Sequence, residues 1–101
     1  MSRYLLSPEA AKDLVQIWSY IRKKSGEPVA DSAEAAIRAK IGFLAGTPGA
    51  GHWRRDLTSS QVRFVAAYSY LIVYRPETVP LQVVAILHGK RDVARIRAER
   101  L

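Results

Sequence analysis

The chain of 101 residues is 49% hydrophobic and 25% charged, with a formal net charge of +7. This predicts one globular domain over residues 1–101, whose basic surface attracts polyanions such as nucleic acid or an acidic protein. The chain has no cysteine, no signal peptide and no run near the roughly 20 apolar residues of a membrane span, so we expect a cytoplasmic protein without disulfides or thiolate metal sites.

A short apolar segment at residues 3–6 predicts a strand, and a helix begins directly after it. Ser7 can cap this helix, Pro8 suits its first position, and Glu9 complements its positive end. Four large apolar residues recur at helical spacing and form its buried stripe: Leu14, Ile17, Trp18 and Ile21. The sequence Ser-Gly-Glu-Pro at residues 25–28 ends the helix.

A second helix is predicted from residue 29 to residue 45. Its buried stripe consists of apolar residues at helical spacing: Ala33, Ile37, Ile41 and Leu44. The glycine-rich residues 46–51 end it. The two helices form an αα-hairpin whose apolar faces need a sheet to cover.

Three apolar segments follow, at residues 62–67, 70–75 and 82–88. The breaks between them are too short for a helical crossover, so the segments should pair as an antiparallel meander. Residues 90–101 predict a short C-terminal helix. The order β-α-α-β-β-β-α predicts an α+β fold, in which a small antiparallel sheet packs against the N-terminal helical hairpin.

Motifs for cofactors and metals are missing from the sequence. The glycines at residues 46–51 lack the strand and the Lys-Ser/Thr ending of a phosphate loop. The two histidines, His52 and His88, do not make a zinc site without well-placed carboxylates, and no serine elbow is present. We therefore expect no cofactor and no bound metal, which leaves binding or chemistry performed by cations.

Basic groups at or near the predicted strands are the main candidates: Arg63, Arg75, His88, Lys90 and Arg91. Arginines can neutralise charge on a scissile phosphate while a histidine moves protons, which would make a metal-independent ribonuclease. In the structural alternative, the two arginines pair with nearby carboxylates and His88 ends a strand. Those carboxylates are Asp56, Glu77 and Asp92.

A polar loop before the sheet places an aromatic residue beside two arginines, in the sequence Trp53-Arg54-Arg55-Asp56-Leu57. This combination can stack on a base or clamp a partner. In the simpler alternative, which we favour for the apolar residues, Trp53 and Leu57 cover the sheet edge while Asp56 caps or pairs locally. For Arg54 and Arg55 both alternatives stay open.

The sequence Tyr-Leu-Ile-Val-Tyr-Arg at residues 70–75, followed by Leu-His-Gly-Lys-Arg-Asp-Val at residues 87–93, is the most specific combination in the chain. Together with shorter segments it resembles the ParE branch of the RelE/ParE toxin superfamily, in the same order over nearly the full length. Those shorter segments are residues 6–10, 17–21, 56–57 and 62–64. The α+β layout predicted above is similar to the fold of that family.

The resemblance implies the toxin of a type II toxin–antitoxin system of the plasmid-stabilisation kind, neutralised by a ParD-like antitoxin in a hetero-oligomer. ParE-like toxins are associated with poisoning DNA gyrase, whereas RelE-like members cleave mRNA on the ribosome with arginines, lysines and often a late tyrosine. Arg63, Lys90 and Arg91 lie where such ribonucleases tend to keep basic groups. However, Arg97 stands where their tyrosine would be, which favours gyrase.

Three hypotheses follow, in this order: a non-catalytic gyrase poison, a ribosome-dependent endoribonuclease, and an inactive homologue that binds its antitoxin. The second would use Arg63, His88 and Arg91 as catalytic residues, provided that they converge. An acidic antitoxin tail would suit the basic surface and the groove beside the two helices. The candidate residues for binding target or antitoxin are Trp18, Arg54, Arg55, Arg63, Arg75, Lys90, Arg91, Arg95 and Arg97.

Overall fold

The computed structural model describes residues 3–56, 58–88, 92–93 and 96. Strand β1 (Tyr4–Leu6) is followed by helices α1 (Pro8–Ser25) and α2 (Glu27–Gly46), a short 3-10 helix (Pro48–Ala50), and strands β2 (Arg63–Ala67), β3 (Tyr70–Arg75) and β4 (Leu81–Leu87). This is the predicted order and the predicted α+β class. Most of the predicted C-terminal helix lies outside the described residues, although residues 92, 93 and 96 have helical backbone.

Helix α1 begins as its sequence predicts. The Ser7 hydroxyl accepts a hydrogen bond from the Ala10 backbone N–H at 3.0 Å, and Pro8 takes the first helical position. The chain leaves α1 at Gly26, whose φ of 90° suits a residue without a Cβ. Helix α2 starts two residues earlier than predicted, at Glu27.

The sheet has the strand order β1-β4-β3-β2. Strands β2, β3 and β4 form the predicted antiparallel meander, whereas β1 pairs with β4 in parallel. Helix α1 continues in the direction of β1, and α2 returns to bring Gly46 close to the Arg3 side chain. The chain therefore enters β2 from the end at which β1 starts, which leaves β4 parallel to β1 and makes the sheet mixed.

A β-bulge in β4 links the sheet to α1. Val73 pairs with Ala85 and Tyr74 pairs with Val83, so Val84 is an extra residue on β4. Helix α1 covers the backbone at this point: the Ser7 hydroxyl donates to the Val84 carbonyl at 3.2 Å. The bulge bends the strand and changes which residues beyond it face the helices.

Asp13 continues this cover nearly two turns further along α1. Its carboxylate accepts a hydrogen bond from the Ile86 backbone N–H at 3.1 Å. The apolar stripe predicted for α1 does not include Asp13, yet the residue is buried, with only 7% of it exposed. Strand β1 ends at Leu6 and does not reach this part of β4. The Asp13 carboxylate therefore takes the place of a neighbouring strand as acceptor for the β4 backbone N–H, and the residue is buried there.

Both faces of the sheet are covered. On one face the helices supply most of the predicted stripes, with Trp18 half-buried beside them. On the other face Val93 and Ile96 pack against the second core cluster: Val62, Phe64, Val73, Val84, Ala85 and Leu87. The basic candidate residues are therefore found at the ends of the strands and not on an open second face of the sheet. Within the described part of the chain, no helix has both the length and the apolar content for crossing a membrane.

Candidate functional site

The loop between α2 and β2 is anchored by Tyr74. This fully buried phenol donates a hydrogen bond to the Pro48 carbonyl at 2.6 Å and accepts one from the Gly51 backbone N–H at 2.8 Å. Burial raises the pKa of Tyr74, against the opposing effects of the Gly51 N–H and of the charge on Arg63. A Cβ at residue 51 would overlap the phenol, so glycine is required there by close approach.

Arg63 begins β2 and reaches back to this loop. Its guanidinium Nη1 donates to the Gly51 carbonyl at 2.8 Å, and its Cζ lies 4.2 Å from the centre of the Trp53 ring. The structure thus places Arg63 against a main-chain carbonyl and an aromatic ring, where the sequence left a carboxylate partner open. Its Nε is buried and has no hydrogen-bond partner among the residues that the structure describes.

Arg55 approaches the same ring. Its Cζ lies 4.8 Å from the centre of the Trp53 ring, and its Nη1 donates to the Ser59 carbonyl at 3.0 Å. Trp53 remains 37% exposed, so its ring is accessible from solvent. We call Arg55 and Arg63, held over Trp53, the guanidinium pair.

Arg54 is engaged differently from its neighbour. Its Nε and Nη2 donate to the two carboxylate oxygens of Asp56 at 3.0 and 2.9 Å. The hydrogen bonds to Asp56 and its charge raise the pKa of Arg54. The local pairing predicted for Asp56 is confirmed, whereas Leu57 lies outside the described residues.

His88 follows β4 at the other end of the sheet and is exposed. Its ring lies 5.0 Å from that of Tyr70 and 6.2 Å from that of Tyr20, centre to centre. The three rings border a pocket of about 160 Å³ that Asp13 and Asp92 also line. Burial, with smaller effects from Tyr20 and Tyr68, raises the pKa of Tyr70.

Arg63 and His88 do not converge. Arg63 pairs with Tyr74 near one end of β3, whereas His88 follows Leu87, the partner of Leu71 near the other end. The strand geometry separates them by about 13 Å along the strands and about 10 Å across two strand spacings. Arg63 Nη1 is held at the Gly51 carbonyl and the His88 ring lies against Tyr70, so the two described members of the predicted catalytic set lie apart and do not meet at one phosphate. Its third member, Arg91, lies outside the described residues.

A groove runs along the helical hairpin. Trp18 Nε1 donates to Asp31 at 2.8 Å and so joins α1 to α2, with Arg22 5.7 Å from the ring centre. The groove has a volume of about 180 Å³ and is lined by Leu6, Ala11, Leu14, Val15, Trp18, Glu34 and Arg38. Val15 is 64% exposed, which makes this surface apolar where α1 faces outward.

The remaining predicted residues contribute less to these surfaces. Arg75 is half-buried at the end of β3, where its carbonyl accepts a hydrogen bond from Thr78. The other four basic candidates, Lys90, Arg91, Arg95 and Arg97, lie outside the described residues. Among the residues that are described, no three His, Asp or Glu side chains come together in a way that would hold a metal ion.

The sequence alone did not single out Asp13, Gly51 or Tyr74. The alternation of β3 indicates that Tyr74 shares a face with Ile72, but not that its hydroxyl anchors a distant loop. The sequence indicates Gly51 only as one of the glycines that end α2. No local signal connects these residues, because their contacts join segments that are far apart in the chain.

Comparisons with known proteins bear on this arrangement. A family model described as "ParE toxin of type II toxin-antitoxin system, parDE" matches residues 4–93. Toxin ParE1 of Caulobacter vibrioides is 31% identical over 88 residues, which cover 87% of this chain and 90% of that protein. A solved structure described as "Chromosomal ParDE TA system from P. aeruginosa" superposes with a TM-score of 0.74.

That structure covers 88% of this chain and 100% of its own, at 20% sequence identity, and it shows that the two proteins share a fold. The family model and the Caulobacter relative carry the assignment further, because each spans most of the chain. This chain therefore belongs to the ParE toxin family of type II toxin–antitoxin systems.

Proposed function

We propose that this toxin inhibits DNA gyrase by binding it, without cleaving nucleic acid itself. The observation that carries the proposal is the separation of Arg63 from His88 at opposite ends of the sheet. Metal-independent cleavage of a phosphodiester needs charge stabilisation and proton transfer at one phosphate. Family membership supports gyrase as the target, since gyrase poisoning is the activity that the resemblance to ParE implies.

We also propose that a ParD-like antitoxin neutralises the toxin by laying a helical segment in the groove of the hairpin. The groove offers apolar contact at Val15 and Leu14 and an indole at Trp18. At its edge Arg38 bonds to Glu34 at 3.0 Å and to the Tyr4 hydroxyl at 3.3 Å. The hydrogen bond to Tyr4, followed by that to Glu34, raises the pKa of Arg38. Because Glu34 already pairs with Arg38, the groove would hold the segment mainly through its apolar residues.

The proposal is tested by inducing the chain alone in bacteria and measuring DNA breaks and cleavage of ribosome-bound mRNA separately within minutes. Purified protein added to gyrase provides the matching assay, in which trapped cleavage appears as linear DNA. We expect broken DNA, intact transcripts and linear DNA in the gyrase reaction. Cut transcripts with intact DNA would contradict the proposal, and absence of any toxicity would favour an inactive homologue that binds its antitoxin.

His88→Ala separates the two catalytic possibilities. The His88 side chain is exposed and contacts the rings of Tyr20 and Tyr70, so its removal leaves the core intact. We expect the variant to inhibit gyrase as strongly as the unaltered chain. If instead the chain cuts transcripts and His88→Ala abolishes the cutting at unchanged thermal stability, the endoribonuclease becomes the preferred function.

A further inference from the structure

We propose that the guanidinium pair, Arg55 and Arg63 over Trp53, is a binding site for the phosphodiester backbone of duplex DNA. This goes beyond gyrase inhibition by giving the toxin a contact of its own to nucleic acid. It rests on the proposed function only for the choice of DNA that the toxin meets in the cell. Binding itself can be measured without gyrase.

The guanidinium groups of Arg55 and Arg63 both lie against one aromatic ring. Their Cζ atoms lie 4.8 and 4.2 Å from the centre of the Trp53 ring, so their separation cannot exceed the sum of these distances. Like charges repel each other at such a separation, and the negative charges of a phosphodiester backbone offset that repulsion. A phosphate group accepts hydrogen bonds from guanidinium groups in well-defined geometry.

The arginines near this loop differ in whether a carboxylate neutralises their charge. Arg54 makes a two-point contact to the carboxylate of Asp56. By contrast, the hydrogen-bond acceptors of Arg55 and Arg63 within the described residues are main-chain carbonyls: Ser59 for Arg55, and Gly51 with the more distant Gly49 for Arg63. Carbonyl oxygens orient a guanidinium without cancelling its charge. Of the three arginines, the pair over Trp53 thus keeps its positive charge for a ligand.

Both guanidinium groups are held in place before any ligand binds. Each guanidinium is fixed twice, by the indole face and by a carbonyl oxygen, and one of those carbonyls belongs to Gly51, which Tyr74 anchors. Side chains that are ordered before binding lose less conformational entropy when the ligand arrives. Because both guanidinium groups already lie over the Trp53 ring, the ring stacks on them and not on a nucleic-acid base. The site therefore reads phosphate and not sequence.

The test measures binding of the purified chain to a short, random-sequence, fluorescent DNA duplex by anisotropy, over a series of salt concentrations. Arg55→Gln is the main variant, since Arg55 is exposed and its loss leaves the Gly51 and Tyr74 anchor untouched. We expect about three- to tenfold weaker binding and a salt slope smaller by about one. Lys12→Gln, an exposed change of equal charge on α1, should alter binding by less than about twofold.

A second control removes the neutralised pair, in the double variant Arg54→Gln with Asp56→Asn. It alters the same loop but not its net charge, so we expect binding within about twofold of the unaltered chain. If Arg55→Gln binds DNA no more weakly than Lys12→Gln, the site does not exist. Arg63→Lys keeps the charge but not the planar fork, and we expect it to weaken binding as well at unchanged fold by circular dichroism.

A polyglutamate peptide distinguishes nucleic acid from an acidic protein segment. Loss of peptide binding in Arg55→Gln with DNA binding unchanged would overturn the proposal and assign the pair to an acidic partner. The gyrase assay is kept separate. A chain that binds DNA through Arg55 but leaves gyrase active would refute the proposed function alone, whereas gyrase inhibition with DNA binding insensitive to Arg55→Gln would refute the DNA site alone.

Discussion

Tyr74 shows how one side chain holds the loop between α2 and β2. Its hydroxyl holds Pro48 and Gly51, and the Gly51 carbonyl in turn holds the Arg63 guanidinium. The phenol is fully buried, so both of its hydrogen bonds are shielded from water. Any change that displaces the hydroxyl should therefore loosen the loop and weaken the contact between Arg63 and Trp53.

Tyr74→Phe should lower the free energy of unfolding by about 1–3 kcal/mol near neutral pH, because it leaves the Gly51 N–H and the Pro48 carbonyl without their partner. The variant should also change the response to alkaline pH. Burial raises the pKa of the Tyr74 phenol above its ordinary value of 10.0, so the folded chain holds this proton more tightly than the unfolded chain.

The stability from this tighter proton binding is complete below the ordinary pKa and is lost as pH rises through the folded-state pKa. Urea unfolding at about pH 8 and about pH 11 measures the loss. We expect a smaller loss in Tyr74→Phe than in the unaltered chain, with the remainder due to Tyr70, whose pKa is also raised by burial. Equal losses in the two proteins would contradict the role given to Tyr74.

Gly51→Ala tests the same anchor from the other side. A methyl group there overlaps the Tyr74 phenol, whereas a methyl group at Gly49 has, apart from its chain neighbours, no heavy atom of the described residues within 4 Å. We expect Gly51→Ala to cost about 1–3 kcal/mol, the usual range for forcing atoms into a packed site, and Gly49→Ala to be nearly neutral. Thermal melting of both variants, compared with each other, measures the difference, and similar melting temperatures would argue against the close approach.

At the scale of elements, the connection between α1 and β4 is made by polar side chains of the helix. Ser7 and Asp13 contact β4 where the three residues of β1 no longer pair with it. The helix thus completes the sheet edge instead of only packing on its face. This arrangement explains a buried carboxylate on a surface that the apolar pattern of α1 leaves polar.

Asp13→Ala should lower the free energy of unfolding by about 1–3 kcal/mol, because the buried Ile86 N–H loses its acceptor. Asp13→Asn keeps an acceptor oxygen and should cost less. Asp31→Ala is the control, since it removes a hydrogen bond to Trp18 that is exposed to solvent. Urea unfolding gives the three values, and an Asp13→Ala no less stable than Asp31→Ala would show that the edge contact contributes little.

The positions of the elements decide which basic residues act together. Trp53 and Arg63 are ten residues apart in sequence and meet because His52 pairs with Phe64, which closes the loop onto β2. Arg63 begins β2 and His88 directly follows β4, yet the strand register places them at opposite ends of the sheet. The pleat of a strand fixes only the face on which a side chain lies, whereas the pairing of the strands separates these two residues along the sheet.

At the scale of the whole molecule, the net charge of +7 applies to every encounter with a partner. An excess of positive charge speeds association with an acidic antitoxin and affects the final affinity less. The C-terminal arginines belong to this excess. They lie outside the described residues and add four positive charges to the segment after residue 90: Arg91, Arg95, Arg97 and Arg100.

Reversing charge at Arg95 and Arg97, by substitution of both with glutamate, should slow association with a ParD-like antitoxin markedly at low salt. The difference from the unaltered chain should shrink as salt rises, because mobile ions screen exposed charges. Stopped-flow measurements over a salt series give both rates. An association rate at low salt that is insensitive to the substitutions would contradict electrostatic steering by this segment.

The amino-acid sequence by itself determined the α+β class, the order of elements and most helix and strand boundaries. Ser7, Pro8 and the glycines at the helix ends act on their own neighbours, and the apolar spacing of each helix reports which face is buried. These signals are local, so they can be read without the fold. The resemblance to ParE also lay within contiguous segments, and the family comparison confirms it.

Only the tertiary structure decided the parallel pairing of β1, the bulge in β4, the burial of Asp13 and the grouping of the arginines. Arg55 and Arg63 meet over Trp53 in a loop whose Gly51 is held by Tyr74 on the neighbouring strand. Such contacts depend on strand register and on the path of a loop, and a register shift of one residue reverses the face of every side chain that follows. For that reason, residue types and spacing identify the candidate cations, while packing decides which of them share a site.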